Sequence, residues 1–331
     1  MSGTLVISLD FELYWGVRDR RRLEEIRSDL LATRQVIPAM LALFERYGVR
    51  ATWATVGFLF FETRARLLRA LPAAKPTYSE AKYSPYGEIA AIGVDESSDP
   101  CRLGRSLVEL IAAHAGQEIG THTFCHYFAL EAGQTPEAFR QDLAAAVAAA
   151  NRAGHEVRSL VFPRNQCNAE YLPLCDEAGI ACFRGNPRSW LYRARPRGEE
   201  RRVLRALRLL DAYVNISGHH TYRRTTPGTA GRPLDVPASR FLRPWSSRLR
   251  WLEGLRLRRI KSAMTHAARR GEVFHLWWHP ENFGTDCAQN LRCLEVLLRH
   301  FASLRERYGM ESLNMGDFGS ASVNLAKQAR G

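Results

Sequence analysis

The 331-residue sequence predicts an α/β fold on a parallel sheet, on two observations. Short β-branched and aromatic runs alternate with helix-length amphipathic stretches, the pattern of strand–helix–strand units. Polar residues capable of chemistry, Asp10 and Glu12, His122, Arg164 and His279, fall at the C-terminal ends of those short runs. In a parallel barrel such ends share one face, and active sites are assembled there.

Taken in order, Thr4 to Leu9 reads as a strand ending in Asp10. Leu23 to Tyr47 reads as a helix, with Leu30, Leu31, Ile37, Leu41 and Phe44 on its apolar side and Gly48 as its stop. Arg50 to Val56 is the next strand, and after a second helix the Pro-, Tyr-, Ser- and Gly-rich run from Pro72 to Asp99 is a loop. Leu103 to Ala115 is helical, and Glu118 to Thr121 is a strand that delivers His122. The Ala-rich helix Pro136 to Ala153 stops at Gly154, and the strand Ser159 to Phe162 delivers Pro163-Arg164. Glu170 to Ala178 is a helix and Ile180 to Phe183 a strand. Pro187 to Trp245 is irregular. A basic amphipathic helix follows from Ser247 to Ala268, then a strand from Glu272 to Trp278 ending at His279. The helix Ala288 to Tyr308 and a last strand, Glu311 to Met315, close the chain. Residues 1–331 are expected to form one barrel domain, with 184–250 an irregular basic segment within it.

With 46% hydrophobic and 24% charged residues, disorder, collagen-like repeats and coiled coil are excluded as the main organisation. The most apolar run, Ala51 to Phe61, is far short of the ~20 residues of a membrane-crossing helix. Apolar residues begin at Leu5 and meet Asp10 and Glu12 at once, unlike a signal peptide. Seven cysteines without a C-x-x-C pair read as reduced thiols, which makes the cytoplasm the expected compartment. The net charge of +13 is concentrated between Arg184 and Arg270, where 22 Arg or Lys face 5 Asp or Glu. Such a block attracts phosphorylated small molecules, an anionic lipid surface or nucleic acid, unless it reflects only an Arg-rich composition. No helix-turn-helix, RRM-like or zinc-finger pattern accompanies it, so nucleic acid is not an expected partner.

His122 and His126 stand at i and i+4, which on a helical turn suits two-point metal ligation. Asp10 and Glu12, two apart at a strand end, face the same way, so one carboxylate can complete a metal site while the other handles protons. Which does which is open in the spacing. His279, before Pro280, is a candidate for acid–base work, whereas His275 reads as a core histidine. Of Trp277 and Trp278, one can offer a face to a sugar. His219-His220 is placed at the mouth of the pocket, and Glu281 and Asn282 follow His279 without an assigned role.

Ser8 to Glu12, His122 to His126, Phe162 to Gln166 and His275 to His279, in this order, resemble the motifs of the polysaccharide deacetylase (NodB-homology) family over about residues 4–284. These are metal-dependent carbohydrate esterases and amide hydrolases. The resemblance implies a distorted (β/α)7-type barrel and a divalent metal, most often Zn2+. It implies removal of an N-acyl, typically acetyl, group from an amino sugar in bacterial surface-polysaccharide or glycolipid biosynthesis. Carried onto this chain, it makes Asp10 the base, His279 the acid, Arg164 the group that orients Asp10, and Glu12, His122 and His126 the metal ligands. Trp15, Tyr127, Asn165, Gln166 and Trp278 would bind substrate, with a backbone N–H near Asn165 or Gln166 at the oxyanion. The chain departs from the motifs in placing Phe11 between the two acids and Pro163 in the usual arginine slot. Its fourth motif, an Asp that positions the catalytic histidine, has only Asp211 as a stand-in.

The expected substrate is an N-acylated amino sugar on a phosphate carrier, with peripheral contact between the helix after Ser247, near Trp245 and Trp251, and an anionic inner leaflet. The alternatives are an N-deformylase of a nucleotide- or lipid-linked formamido sugar, a hydrolase of cyclic ureides, and an inactive carbohydrate-binding homologue.

Overall fold

The spine of the sheet is β1 (Thr4–Phe11), all eight residues of which are buried. It can be buried on both faces because its side chains alternate between an apolar layer under the helices and an inner face whose polar groups, Ser8 and Asp10, are hydrogen-bonded. Leu5, Ile7, Leu9 and Phe11 enter the larger core beneath the helices, whereas Val6 joins Ala54, Val161, Val236 and Met315 in a smaller cluster. In this computed structural model, which describes residues 2–196, 199, 202–224 and 231–319, eight further strands accompany it. They are β2 (Ala51–Thr55), β3 (Gln117–Thr121), β4 (Ser159–Val161), β5 (Cys182–Arg184), β6 (Leu234–Asp235), β7 (Arg240–Phe241), β8 (Val273–Trp278) and β9 (Glu311–Leu313).

Every named strand pairing is parallel, in the order β6-β5-β4-β3-β2-β1-β8-β7, with β9 beside the first half of β1 and β2 beside its second half. The sheet curls into a distorted barrel of the (β/α)7–8 kind. Among the described residues no ladder joins β6 to β7, so the barrel is open on that side.

Among the described residues eight α-helices pack around this sheet or its edge: α1 (Leu23–Tyr47), α2 (Arg64–Arg69), α3 (Arg105–Ala112), α4 (Pro136–Arg152), α5 (Leu172–Glu177), α6 (Arg202–Asp211), α7 (Glu253–Arg270) and α8 (Cys287–Tyr308). In α1, Ile26, Leu30, Thr33, Ile37, Met40, Leu41 and Phe44 recur at three- and four-residue spacing and form its buried stripe. Gly48, in the left-handed conformation at φ 60°, ends it, and the Val49 N–H returns to the Phe44 carbonyl at 2.8 Å.

Two sequence expectations are corrected. The stretch 187–245 is not wholly irregular, since it supplies α6 and the short strands β6 and β7. The helix expected from Ser247 begins as 3-10 turns, broken at Leu249 (φ −116°), and is regular only from Glu253. Two arginines of this helix, Arg256 and Arg259, are buried and donate to the Arg243 and Gly218 carbonyls. Trp251 stays exposed. Of the basic stretch 184–270, residues 197, 198, 200, 201 and 225–230 lie outside the described residues. All seven thiols are unpaired, and no described helix is long and apolar enough to cross a membrane.

Candidate active site

The end of β1 carries Asp10 inward, and the chain then tightens into a 3-10 turn at Leu13–Gly16 that begins beside Glu12. Gly16 is required there: a Cβ on it would lie 1.8 Å from Glu12 Oε1. From the far side Glu281 Oε1 accepts the backbone N–H groups of Glu12, at 2.9 Å, and of Leu13. The carboxylate of Glu12 is thereby set against two imidazoles, its Oε2 lying 3.2 Å from His122 Nε2 and 2.8 Å from His126 Nε2.

His122 and His126 do not share a helical turn, contrary to the reading of their spacing. The loop that carries them is non-helical and turns through left-handed residues at Thr123 (φ 64°) and His126 (φ 59°). Asp142 of α4, fully buried, holds the loop by accepting the N–H groups of Phe124 at 2.8 Å and Cys125 at 3.2 Å. Burial pushes the Asp142 carboxyl up to about 6 and the His126 imidazole down to about 4. Burial also acts to raise Glu12, but His279 and His126 outweigh it and hold this carboxyl well below the usual carboxylate range.

The trio fits a divalent metal. His122 Nδ1 lies 2.8 Å from the Val161 carbonyl, so it carries the proton, and Nε2 presents a lone pair toward Glu12. That buried Nε2 has no hydrogen-bond donor facing it among the described residues. Lone pairs of a carboxylate and an imidazole turned toward each other repel unless a cation lies between them. The ligand atoms of Glu12, His122 and His126 all lie within 4.8 Å of one another, and a carboxylate–His–His set suits zinc or a similar divalent ion.

Asp10 is held separately. Arg184, the last residue of β5, donates Nη1 to Asp10 Oδ1 at 2.6 Å and Nη2 to Oδ2 at 2.8 Å. The same guanidinium donates to Ser8 Oγ at 3.0 Å and Asn165 Oδ1 at 2.8 Å, and it lies 4.2 Å from the Trp277 ring. Ser8 in turn reaches His275 Nε2 at 2.8 Å, and His275 Nδ1 lies 3.1 Å from the Val236 carbonyl. Burial opposes the charge on Asp10, but Arg184 overcomes it and keeps the carboxyl below its ordinary range. His279, one-quarter exposed, places Nε2 3.3 Å from Glu12 Oε1 and 3.7 Å from Asp10 Oδ2, while Asn282 Nδ2 meets its Nδ1 at 3.3 Å.

Several transferred roles are corrected by position. Arg164 does not touch Asp10. The turn after Pro163 runs through two left-handed residues, Arg164 (φ 57°) and Asn165 (φ 54°), which sends the Arg164 guanidinium to Asp19 and over the Phe128 ring. Arg184 occupies the place expected of it. The backbone N–H groups of Asn165 and Gln166 donate to the Phe162 and Pro163 carbonyls, so neither is free for an oxyanion, although both residues line the cavity.

Trp15, Tyr127 and Trp278 are buried rather than substrate-facing. Trp15 donates to the Arg102 carbonyl, Tyr127 packs on Phe139, and Trp278 stacks on Phe283 in the helix layer. On β8 the inward positions are His275 and Trp277, and Trp277 is the tryptophan in the cavity wall. Asp211 is no stand-in for a histidine-positioning acid: it binds Arg240, Tyr192 and Ser217. The group at His279 Nδ1 is Asn282. His219 and His220 face Arg259 and Ser217 and do not line the cavity.

Arg184 was missed because the strand reading stopped at Phe183. The rule that polar residues close the strands, applied one residue further, finds it.

No family model matches the sequence, and no curated protein matches it. Among solved structures the chain is similar to a Mycobacterium smegmatis protein assigned as a polysaccharide deacetylase, with TM-score 0.59 and 14% identity over 99% of this chain and 92% of that one. A Pseudomonas aeruginosa PAO1 protein with the same assignment gives TM-score 0.57 and 12% identity over 96% and 89%. The allantoinase Puue gives TM-score 0.57 and 11% identity over 96% and 89%. At these identities the likeness shows the fold: the barrel is of the polysaccharide deacetylase type. Because an allantoinase shares it, the choice of reaction rests on the site.

Proposed function

We propose that the protein is a metal-dependent hydrolase that removes an N-acyl group, acetyl in the first instance, from an amino sugar. The observation that carries this reading is the placement of the Arg184-held Asp10 and of His279 beside the Glu12–His122–His126 trio, at one end of a cavity of about 360 Å³. A volume of that order suits a small ligand.

A divalent ion held by Glu12, His122 and His126 would polarise the acyl carbonyl and acidify a water. Asp10, kept ionised by Arg184, accepts the proton of the water that attacks the acyl carbon. Arg184 fixes both oxygens of that carboxylate, so the base cannot rotate away from its task. When the carbon–nitrogen bond breaks, His279 Nε2 donates a proton to the departing nitrogen, its ring held by Asn282. The products are the free amine and the carboxylic acid.

The two departures from the motifs, Phe11 between the acids and the displaced Arg164, are the grounds for an inactive homologue. Phe11 is fully buried in the helix-side core against Trp53, and Arg184 supplies a guanidinium to Asp10, so both grounds fall away. A reducing compartment suits seven unpaired thiols.

The test is acetate and formate release from N-acetylated and N-formylated amino sugars by the metal-loaded protein. Release of one acid, lost on Asp10→Asn and on His279→Ala, is the expected result. No release from any amide of this class, or full turnover by Asp10→Asn, would overturn the reading.

A further inference from the structure

The cavity that holds Asp10 and His279 is walled elsewhere by arginine. Seven arginines line it against two carboxylates, and both carboxylates already face partners, Asp10 on Arg184 and Glu12 on the histidines. Some of the arginines are accounted for. Arg164 binds Asp19, and Arg240 binds Asp211. Arg193, Arg195 and Arg243 have no acidic partner among the described residues. Among the described residues Arg195 donates only to the Arg193 and Trp190 carbonyls, and no side-chain bond is made there by Arg193 or Arg243.

Arg243 is half-buried, so its lack of a counter-charge is not the ordinary state of a solvated surface arginine. Burial pushes its pKa down, and the nearby Arg256 adds to that push. Guanidinium groups gathered in a concave site attract a compact anion with several acceptor oxygens, because each planar fork can bind two of them at once. Phosphate meets that description. The neutral hydroxyls of a plain sugar do not.

We propose that Arg193, Arg195 and Arg243 form an anion subsite, and that the substrate is an N-acyl amino sugar bearing a phosphate ester, the phosphate lying among these arginines while the acyl group meets Asp10 and His279. The subsite rests on the hydrolase reading for the identity of the sugar, but its chemistry is independent of turnover. A free sugar phosphate, a nucleotide diphosphate sugar and a lipid-linked sugar phosphate all offer this chemistry.

The experiment is calorimetric binding to the metal-loaded full chain, using four probes: N-acetylglucosamine, its 1-phosphate, UDP-N-acetylglucosamine and polyprenyl diphosphate N-acetylglucosamine in detergent. At least one phosphorylated probe is expected to bind about 10-fold or more tightly than the plain sugar, as charge-assisted hydrogen bonds would provide. The probe that does so names the source of the phosphate. Arg243→Gln and Arg193→Gln should each cut that advantage by about 10-fold. Arg193 is exposed at the rim, so its variant keeps the test open if Arg243→Gln fails to fold. Equal binding of all four probes, or an advantage undiminished in Arg193→Gln, Arg195→Gln and Arg243→Gln, would overturn the proposal. Binding needs no acyl release, so it can fail while deacylation is observed, and succeed while deacylation is not.

Discussion

The two walls of the cavity are built on opposite principles. On the side formed by the ends of β1, β5 and β8 and by the loop after β3, each charged group has a partner: Asp10 has Arg184, Glu12 has two imidazoles, and His279 has Asn282. Behind them, Ser8, His275, Asp142 and Glu281 hold the holders. On the side formed by the segment between β5 and β8, Arg193, Arg195 and Arg243 stand without an acid among the described residues. A wall whose charges are mutually satisfied fixes geometry, which reaction chemistry needs. One whose charges lack partners selects what enters.

The strongest way to break this contrast is to remove a ligand from the ordered wall. Glu12→Gln and His122→Ala should each abolish hydrolysis together with metal content, read by elemental analysis. Asp10→Asn and His279→Ala should lower kcat by about 10²–10⁴-fold while metal content is retained. Loss of metal in those two variants would merge roles that are kept separate here.

Next in size is the comparison of two arginines. Arg184→Met should lower kcat by about 10²-fold, as misplacing a reacting group does. It should also move the acid limb of the pH–activity profile upward. Arg184 stabilises ionised Asp10, so without it the carboxyl takes up its proton at higher pH. Arg164→Met should leave that limb where it is, because its guanidinium sits on Asp19. A shifted limb in Arg164→Met, and not in Arg184→Met, would restore the assignment read from the motif.

The last effect is on stability in acid. Burial holds the His275 imidazole down at about 3, whereas in an unfolded chain it titrates near its ordinary value of about 6.5. Between those values the unfolded chain binds the extra proton, so this contribution is full above about 6.5 and is lost as the pH falls toward 3. Denaturant unfolding across that window should show the decline, and His275→Gln should flatten it. An equal decline in the variant would place the acid sensitivity elsewhere.

Much of the ordered wall was legible in the sequence, because strand ends in a parallel barrel converge and the residues there are chemically conspicuous. Asp10, Glu12, His122, His126 and His279 meet within one site for that reason. What escaped detection depended on register and on backbone hand. Trp277 and Trp278 differ only in strand parity, and a single step exchanges the cavity for the core. Arg164 follows the strand end as the motif leads one to expect, but two consecutive left-handed residues swing it away. The arginine wall was visible only as net charge, because Arg193, Arg195 and Arg243 stand outside the helices and strands, where no periodicity locates a side chain in advance.

The most direct measurement is X-ray absorption spectroscopy, with elemental analysis, on protein purified without added metal and on Glu12→Gln. One divalent ion per chain with mixed nitrogen and oxygen ligation, lost or altered in the variant, is what the convergence of Glu12, His122 and His126 predicts. A protein that takes up no divalent ion, or one whose metal and ligation are the same in Glu12→Gln, would contradict it.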